Sequence, residues 1–411
     1  MLIEGTQCLL REVTMTDTVP IGRRVAYWRA RRRMSQQVFA DRLGKSKSWV
    51  DKVERGVRAL DKVSTLRDIA AALRIDQALL LGQDSRPAEV TTRVEGVESI
   101  RAALSAYDIA LDRPAARRDV PDAARLARGV AHAWTSFQHA RYPALIDLLP
   151  ELLAGAQRGN AHDPAAGPVS LVEAYRVTAS LLVKLGETEL AWLAADRAMT
   201  VATGDPLLVA AATVQLGQVL RAAGRAREAG TATLAAAYRI GTPDLDVARL
   251  SLCGTLLVQA ALAAARHGDD RAAAVRVDEA ADLAAEVGDG NDHHHTGFGP
   301  TVVALARVTV AIDLGTPDEA IARHEAAVGR DGWRWLPPEH RAAHLIDAGR
   351  AYLQVADPVN AARVLLEADR TAPAEVRHRP AARNVLAATV RHPGAPATIV
   401  ALAATLGVSR R

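Results

Sequence analysis

The sequence predicts an all-α protein in which a small N-terminal bundle of short helices precedes a long array of paired helices. Three observations carry that prediction. Helical periodicity runs almost unbroken from residue 90 onward, and no segment alternates as a strand would. Apolar residues make up 49% of the chain but aromatics only 4%, a mixture of Ala, Leu and Val that favours helices packed closely through small side chains. Charge is divided: residues 20–60 hold twelve Lys/Arg against Asp41, Asp51 and Glu54, a local +9 in a 411-residue chain of net +4. The remainder is therefore mildly acidic, and a basic head on such a body points to a polyanion as partner of the head alone.

In chain order, residues 1–18 read as a disordered lead-in, with Met15 as an alternative start. Residues 19–82 form the head. Its first helix, Ile21 to Arg33, turns Val25 and Trp28 inward. The stretch SQQVFADRLGKSKSWVDKVERG (35–56) then holds two short helical patterns joined at Gly44. Ser35 and Ser46 are placed to cap them by accepting from otherwise unpaired N–H groups. Phe39, Ala40 and Leu43 share one face of the first, and Val50 and Val53 form the buried stripe of the second. Gly44 supplies the left-handed backbone that a tight turn between helices needs. A fourth helix, Ser64 to Leu73, closes the bundle with Leu66, Ile69 and Leu73.

This segment resembles the helix-turn-helix of the Cro/repressor (XRE) class over residues 20–82. It shares the Ser35–Gln36 start, the Ala40–Gly44 spacing and the Glu54–Gly56 ending, and departs at Lys45, where an apolar residue is usual. The resemblance implies double-stranded DNA as partner and a homodimer on a palindromic operator. The second helix would enter the major groove with Lys47, Ser48 and Lys52 toward base edges, residue types able to bond them. Gln36, Arg23 and the Arg31, Arg32, Arg33 run would hold phosphates, with Lys45, Ser46 and Arg55 flanking the same surface. Trp49 either sits partly buried in the bundle or packs on a backbone sugar.

After a linker at 83–89, residues 90–168 read as two or three helices with one imperfect repeat, FQHARYPALIDLLPELL. Residues 169–372 are self-similar. Gly186, Gly224, Gly268, Gly315 and Ala356 each sit between two helices. Five residues after each stands an alanine (191, 229, 273, 320, 361), and twelve residues after each another (198, 236, 280, 327, 368). Small residues at those places let the second helix of a pair lie tightly on its neighbours. Residues 373–411 would cap the stack.

The pattern resembles the tetratricopeptide repeat, a helix–turn–helix unit that stacks into a superhelix with a concave groove, here with five to seven helix pairs. In that family the first helix of each pair lines the groove. The resemblance thereby implies Glu173, Arg176, Ser180 and Lys184 as groove residues, then Gln218, Arg221, Thr255 and Arg266, and then Thr309, Asp313, Arg350 and Gln354. Their mixed polarity, with Arg recurring, suits an extended peptide with a carboxylate or an acidic small molecule. The order of parts, with the KSKSWVDKVERG and FGPT phrases, is similar to actinobacterial XRE–TPR regulators and more distantly to the peptide-sensing RRNPP group. That likeness implies a transcription factor; the rival reading is a protein-interaction adaptor whose DNA binding is secondary.

No enzyme, cofactor or metal site is expected. The chain lacks a phosphate-binding glycine loop after a strand, a G-x-S-x-G elbow and an H-E-x-x-H helix. Cys8 and Cys253 match no metal or redox spacing and suit a reducing cytoplasm, and no apolar run approaches the ~20 residues of a membrane span. His293, His294 and His295 in NDHHHTGFGP are consecutive, so they diverge too much to chelate one ion. They are expected to lie exposed at a repeat junction, with Pro300 opening the next helix and Phe298 seating it on the previous pair.

Overall fold

The computed structural model describes residues 21–32, 34–58, 60, 63–73, 88–113, 119–241 and 246–408. Among them it contains helices and two 3₁₀ turns but no strand. The lead-in with Met15 and Cys8, Arg33, the side chain of Arg31 and the linker up to residue 87 lie outside the described residues. Two units are distinguished, Met1–Glu95 and Gly96–Arg411.

The head is built from α1 (Ile21–Arg31), α2 (Gln36–Leu43), α3 (Lys47–Glu54) and α4 (Val63–Leu73). Ser35 accepts from the Val38 N–H at 3.2 Å and Ser46 from the Trp49 N–H at 3.1 Å, so both predicted caps form. Gly44 is left-handed at φ 61°. Val25, Phe39, Ala40, Val50, Ile69 and Leu73 are wholly buried and pack as one cluster. Gly22 is there because α1 and α3 nearly touch: a Cβ on it would come 2.0 Å from the Val53 carbonyl oxygen.

Helix α5 (Ala88–Leu104) begins two residues before the expected position and crosses the boundary between the units. Six hairpins follow: α6 (Ala123–Gln138) with α7 (Tyr142–His162), α8 (Gly167–Leu185) with α9 (Thr188–Ala202), and α10 (Pro206–Ala222) with α11 (Ala226–Ile240). Then come α12 (Val247–His267) with α13 (Asp270–Val287), α14 (Pro300–Asp313) with α15 (Pro317–Val328), and α16 (Pro338–Gln354) with α17 (Pro358–Thr371). The chain ends in α18 (Pro373–His378), α19 (Pro380–Arg391) and α20 (Ala397–Thr405).

One turn joins the helices of the last five hairpins. Gly186, Gly224, Gly268, Gly315 and Ala356 are all left-handed, with φ between 56° and 81°. In each, the N–H of the turn residue and of the next residue return to carbonyls three and five residues back, as from Gly186 to Val183 and Glu187 to Leu182. Ala140 (φ 52°) makes the same turn between α6 and α7, so the imperfect repeat is a sixth hairpin with the same joint. Leu145 and Leu152 stand where the others have alanine, which is why its sequence looks irregular. All ten spaced alanines are buried.

Ala356 holds a backbone conformation that costs an L-residue ~1–2 kcal/mol, against ~0.5–1 kcal/mol of extra chain entropy for glycine. Ala356→Gly is therefore expected to raise stability by up to about 1 kcal/mol. Gly224→Ala, where no atom lies within 4 Å of the added methyl, should lower it through conformation alone. Denaturant midpoints check both; movement in the same direction would contradict the argument.

Helix α12 has the length and apolar composition of a membrane-crossing segment, contrary to the expectation that no run comes close. It packs against α10, α11, α13 and α14 and is mostly buried, which makes it the central core helix of the array.

The hairpins do not remain an open superhelix. Helices α6 to α10 and α16 to α20 share one hydrophobic core, and α6 touches α16 while α8 touches α18. Tyr142 of α7 donates to Glu375 of α18, and Lys184 of α8 pairs with Glu339 of α16 and, at 3.3 Å, with Glu375. The array thus closes into a ring, and the surface expected as a groove becomes the wall of a cavity within it.

Candidate functional site

On the head, α3 places its residues at 100° intervals. Val50 and Val53 turn into the core, while Lys47, Ser48 and Lys52 fall within about 140° of arc on the opposite side and are exposed, as is Lys45 before the helix. Arg23 is also exposed. Ser46 is exposed but its hydroxyl is committed to capping α3, and Arg55 pairs with Asp51 at 3.1 Å. Trp49 is half-buried against the head core, with the Arg58 guanidinium 6.0 Å from its ring.

Two of the residues expected to contact phosphates also bond within the bundle. Gln36 Nε2 donates to Glu54 Oε2 at 2.9 Å, and Arg32 Nε donates to the Leu73 carbonyl at 3.1 Å. The reason for the first is Glu54, a nearly buried carboxylate that must be surrounded by donors. Arg29 supplies the others, from Nε at 2.6 Å and Nη2 at 3.0 Å, and also holds the Met34 carbonyl at 2.7 Å. The bond to Glu54 raises the Arg29 pKa further above its ordinary value. This Arg29–Glu54–Gln36 clamp locks α1, α2 and α3 in one geometry. Its long-range partners cannot be read from local periodicity.

In the ring, a cavity of about 510 Å³ is lined by the first helix of all six hairpins. Nine of the twelve expected groove residues lie on its wall: Ser180, Lys184, Gln218, Arg221, Thr255, Arg266, Thr309, Asp313 and Arg350. The other three do not. Gln354 is exposed elsewhere, while Glu173 and Arg176 are used internally. Arg176 is wholly buried; its guanidinium bonds Glu173 Oε1 at 2.5 Å, Gln215 Oε1 at 2.8 Å and the His294 carbonyl at 3.0 Å. Closure of the ring covers it.

Five cations face the cavity, Lys184, Arg221, Arg266, Arg350 and Arg379, against the carboxylates of Asp313, Glu339 and Asp347. Asp313 is bridged by Arg266 Nε at 3.3 Å and Arg350 Nη2 at 3.2 Å. Arg221 has no carboxylate within ion-pair distance among the described residues; its Nη2 donates to Gln259 at 2.5 Å, and its Nε is buried with no hydrogen-bond partner. Burial, and then the neighbouring Arg266, bring its pKa down to about 10, so it remains a cation at neutral pH. His344 is held neutral by burial and by His324, its pKa lowered to about 3, and its Nε2 shares a 2.9 Å hydrogen bond with His324 Nδ1. Asp347 stands one helical turn before Arg350 and follows from the same repeat offset. Trp134 stands six residues before the Ala140 turn, the offset of Ser180, Gln218, Thr309 and Arg350 from theirs, whereas Arg379, between α18 and α19, lies outside the hairpins and reaches the cavity through ring closure.

The histidine triplet is not exposed as expected: all three residues are half-buried. They form a 3₁₀ turn in which His294 and His295 are left-handed at φ 54° and 59°. The turn reaches back to the first hairpins. His295 stacks on Trp134 with ring centroids 4.7 Å apart, and Asp292 accepts from Gln138 at 2.8 Å. Burial works to raise the Asp292 pKa, but His295, Gln138 and the Gly297 N–H bring it down to about 2. Burial, followed by Arg176, lowers the His294 pKa. Thus the triplet is a strap across the ring, and His295 and Thr296 line the cavity. Phe298 is buried against Gly254 of α12, and Gly299 with Pro300 opens α14, as expected.

No curated protein matches the chain. Residues 20–81 match the family model of a helix-turn-helix domain, which covers the whole capped, clamped head and points to a DNA-binding regulator rather than an enzyme.

Proposed function

We propose that the protein is a sequence-specific transcription regulator that binds a palindromic operator as a homodimer through α3 and responds to an effector held in the ring cavity. The observation that carries the DNA part is the division of α3. Its apolar face is fully buried, and its opposite face offers Lys47, Ser48 and Lys52 to solvent. Lysine is a donor for guanine O6 and N7, and serine can donate or accept, so the face is chemically equipped to read base edges. A single such helix spans few base pairs, which is the reason to expect two copies on a two-fold site. The effector part is supported by the meeting of nine polar or charged groove residues on one cavity wall.

The test is a gel-shift against the region upstream of the protein's own gene. Palindrome-dependent retardation is the expected result; salt-labile, sequence-blind binding would favour an adaptor instead. Within that assay, Lys47→Ala should weaken operator binding by about 1–3 kcal/mol, roughly ten- to hundred-fold, and weaken binding to unrelated DNA much less. Equal loss on both DNAs would show that Lys47 contacts only phosphate.

A further inference from the structure

The cavity wall carries more information than the presence of a site. At about 510 Å³ the cavity is the size of a small-molecule pocket. The lining combines apolar surfaces, among them Val183, Val214, Val258, Leu262 and Leu305, with a surplus of one cation over carboxylates once Glu375, which pairs with Lys184 and Arg379, is counted. The surplus has a centre. Asp313 engages Arg266 and Arg350, and Lys184 is neutralised by Glu339 and Glu375. Arg221 is left with a neutral amide partner and an unbonded, buried Nε. A half-buried guanidinium with one buried, unbonded N–H and no carboxylate in contact has unmet hydrogen-bonding capacity, and an arriving anion satisfies it with charge-assisted hydrogen bonds.

We propose that the cavity binds a small amphipathic anion, an apolar body carrying one carboxylate, with the carboxylate on Arg221 and the body against the valine and leucine wall. This rests on the reading of the cavity as an effector site. Arg221 is a half-buried residue of α10, and Gln218 and Gln259 beside it are hydrogen-bonding groups able to orient the head group. A cation at this position distinguishes an acid from its uncharged analogue of the same shape, because only the acid satisfies the guanidinium.

The experiment titrates the full chain, without DNA, with octanoate, decanoate and 3-phenylpropanoate and with the primary amide of each, by calorimetry. At least one acid is expected to bind at least ten-fold more tightly than its amide. Arg221→Met should abolish that preference, and Arg221→Lys, which keeps the charge, should retain part of it; a thermal melt of each variant confirms that it is folded. Equal binding of acid and amide, no binding of any acid, or a preference that survives Arg221→Met would overturn the proposal. So would binding of a pool of acetylated hexapeptides where no acid binds. Operator retardation measured separately reports on the regulator reading. Acid binding without DNA binding would remove that reading and leave the pocket chemistry intact.

Discussion

Replacing Lys184 with methionine is expected to destabilise the ring by about 3–5 kcal/mol, the usual cost of breaking a buried ion pair from one side. Lys184 lies between Glu339 and Glu375, which are 3% and 0% exposed and belong to the last hairpin and the helix after it. Without the lysine, two buried carboxylates face each other beside the Tyr142 hydroxyl, with Arg379 the cation left on Glu375 at 3.3 Å. The pH dependence follows from Glu339. Burial works to raise its pKa, but Lys184 and then His340 outweigh burial and the net shift is downward. A carboxyl lowered from 4.5 contributes stability that is present above that value and lost as pH falls through the folded pKa. In Lys184→Met the burial effect dominates instead, so protonation relieves the strain. The deficit relative to wild type should be largest at pH 7 and smaller at pH 5, measured as denaturant midpoints. A deficit under about 1 kcal/mol, or one equal at both pH values, would mean that the seam is held by its apolar contacts alone.

Arg176→Met should be similarly severe, about 3–5 kcal/mol, with a local signature. Methionine fills much of the volume but leaves Glu173, Gln215 and the His294 carbonyl each short of a donor. Glu173 keeps the Trp134 Nε1 bond at 2.8 Å, while the Trp134 ring loses the guanidinium 5.3 Å from its centroid. The strap suffers most. His294 and His295 are held in left-handed conformations that cost ~1–2 kcal/mol each, and the Arg176 bond is one of the contacts that maintain them. Amide hydrogen exchange over residues 292–298 should accelerate in the variant, while the helices of the head keep their wild-type protection. Unchanged exchange in that loop would show that stacking on Trp134 and the Gln138–Asp292 bond suffice.

Much of the architecture is legible in the chain because it is local. Ser35 and Ser46 cap helices through groups three residues away, and Gly44 sets a turn through its own φ. The ten alanines report a packing distance that recurs with each hairpin, so their spacing is visible even though the repeats differ in length. The sixth hairpin is less visible because Leu145 and Leu152 replace two of those alanines, although Ala140 keeps the turn. The groove residues follow from the repeat offset wherever a side chain depends only on its own helix, which is why nine of them share one wall.

The offset fails at Arg176, where a chain-distant carbonyl, His294, takes the side chain out of the cavity. It fails equally for the histidine triplet, whose composition suggests an exposed loop but whose partners are Trp134 and Gln138, more than 150 residues earlier. Helix positions, turns, caps and the charged head follow from residue spacing and side-chain chemistry, which act over a few residues. Closure of the ring depends on the small rotation added by each hairpin, accumulated over six of them, and on the buried Lys184–Glu339–Glu375 seam that joins the first pairs to the last. Such a sum of rotations has no local signature, yet it gathers the groove around one cavity and leaves the half-buried Arg221 without a carboxylate at ion-pair distance among the described residues.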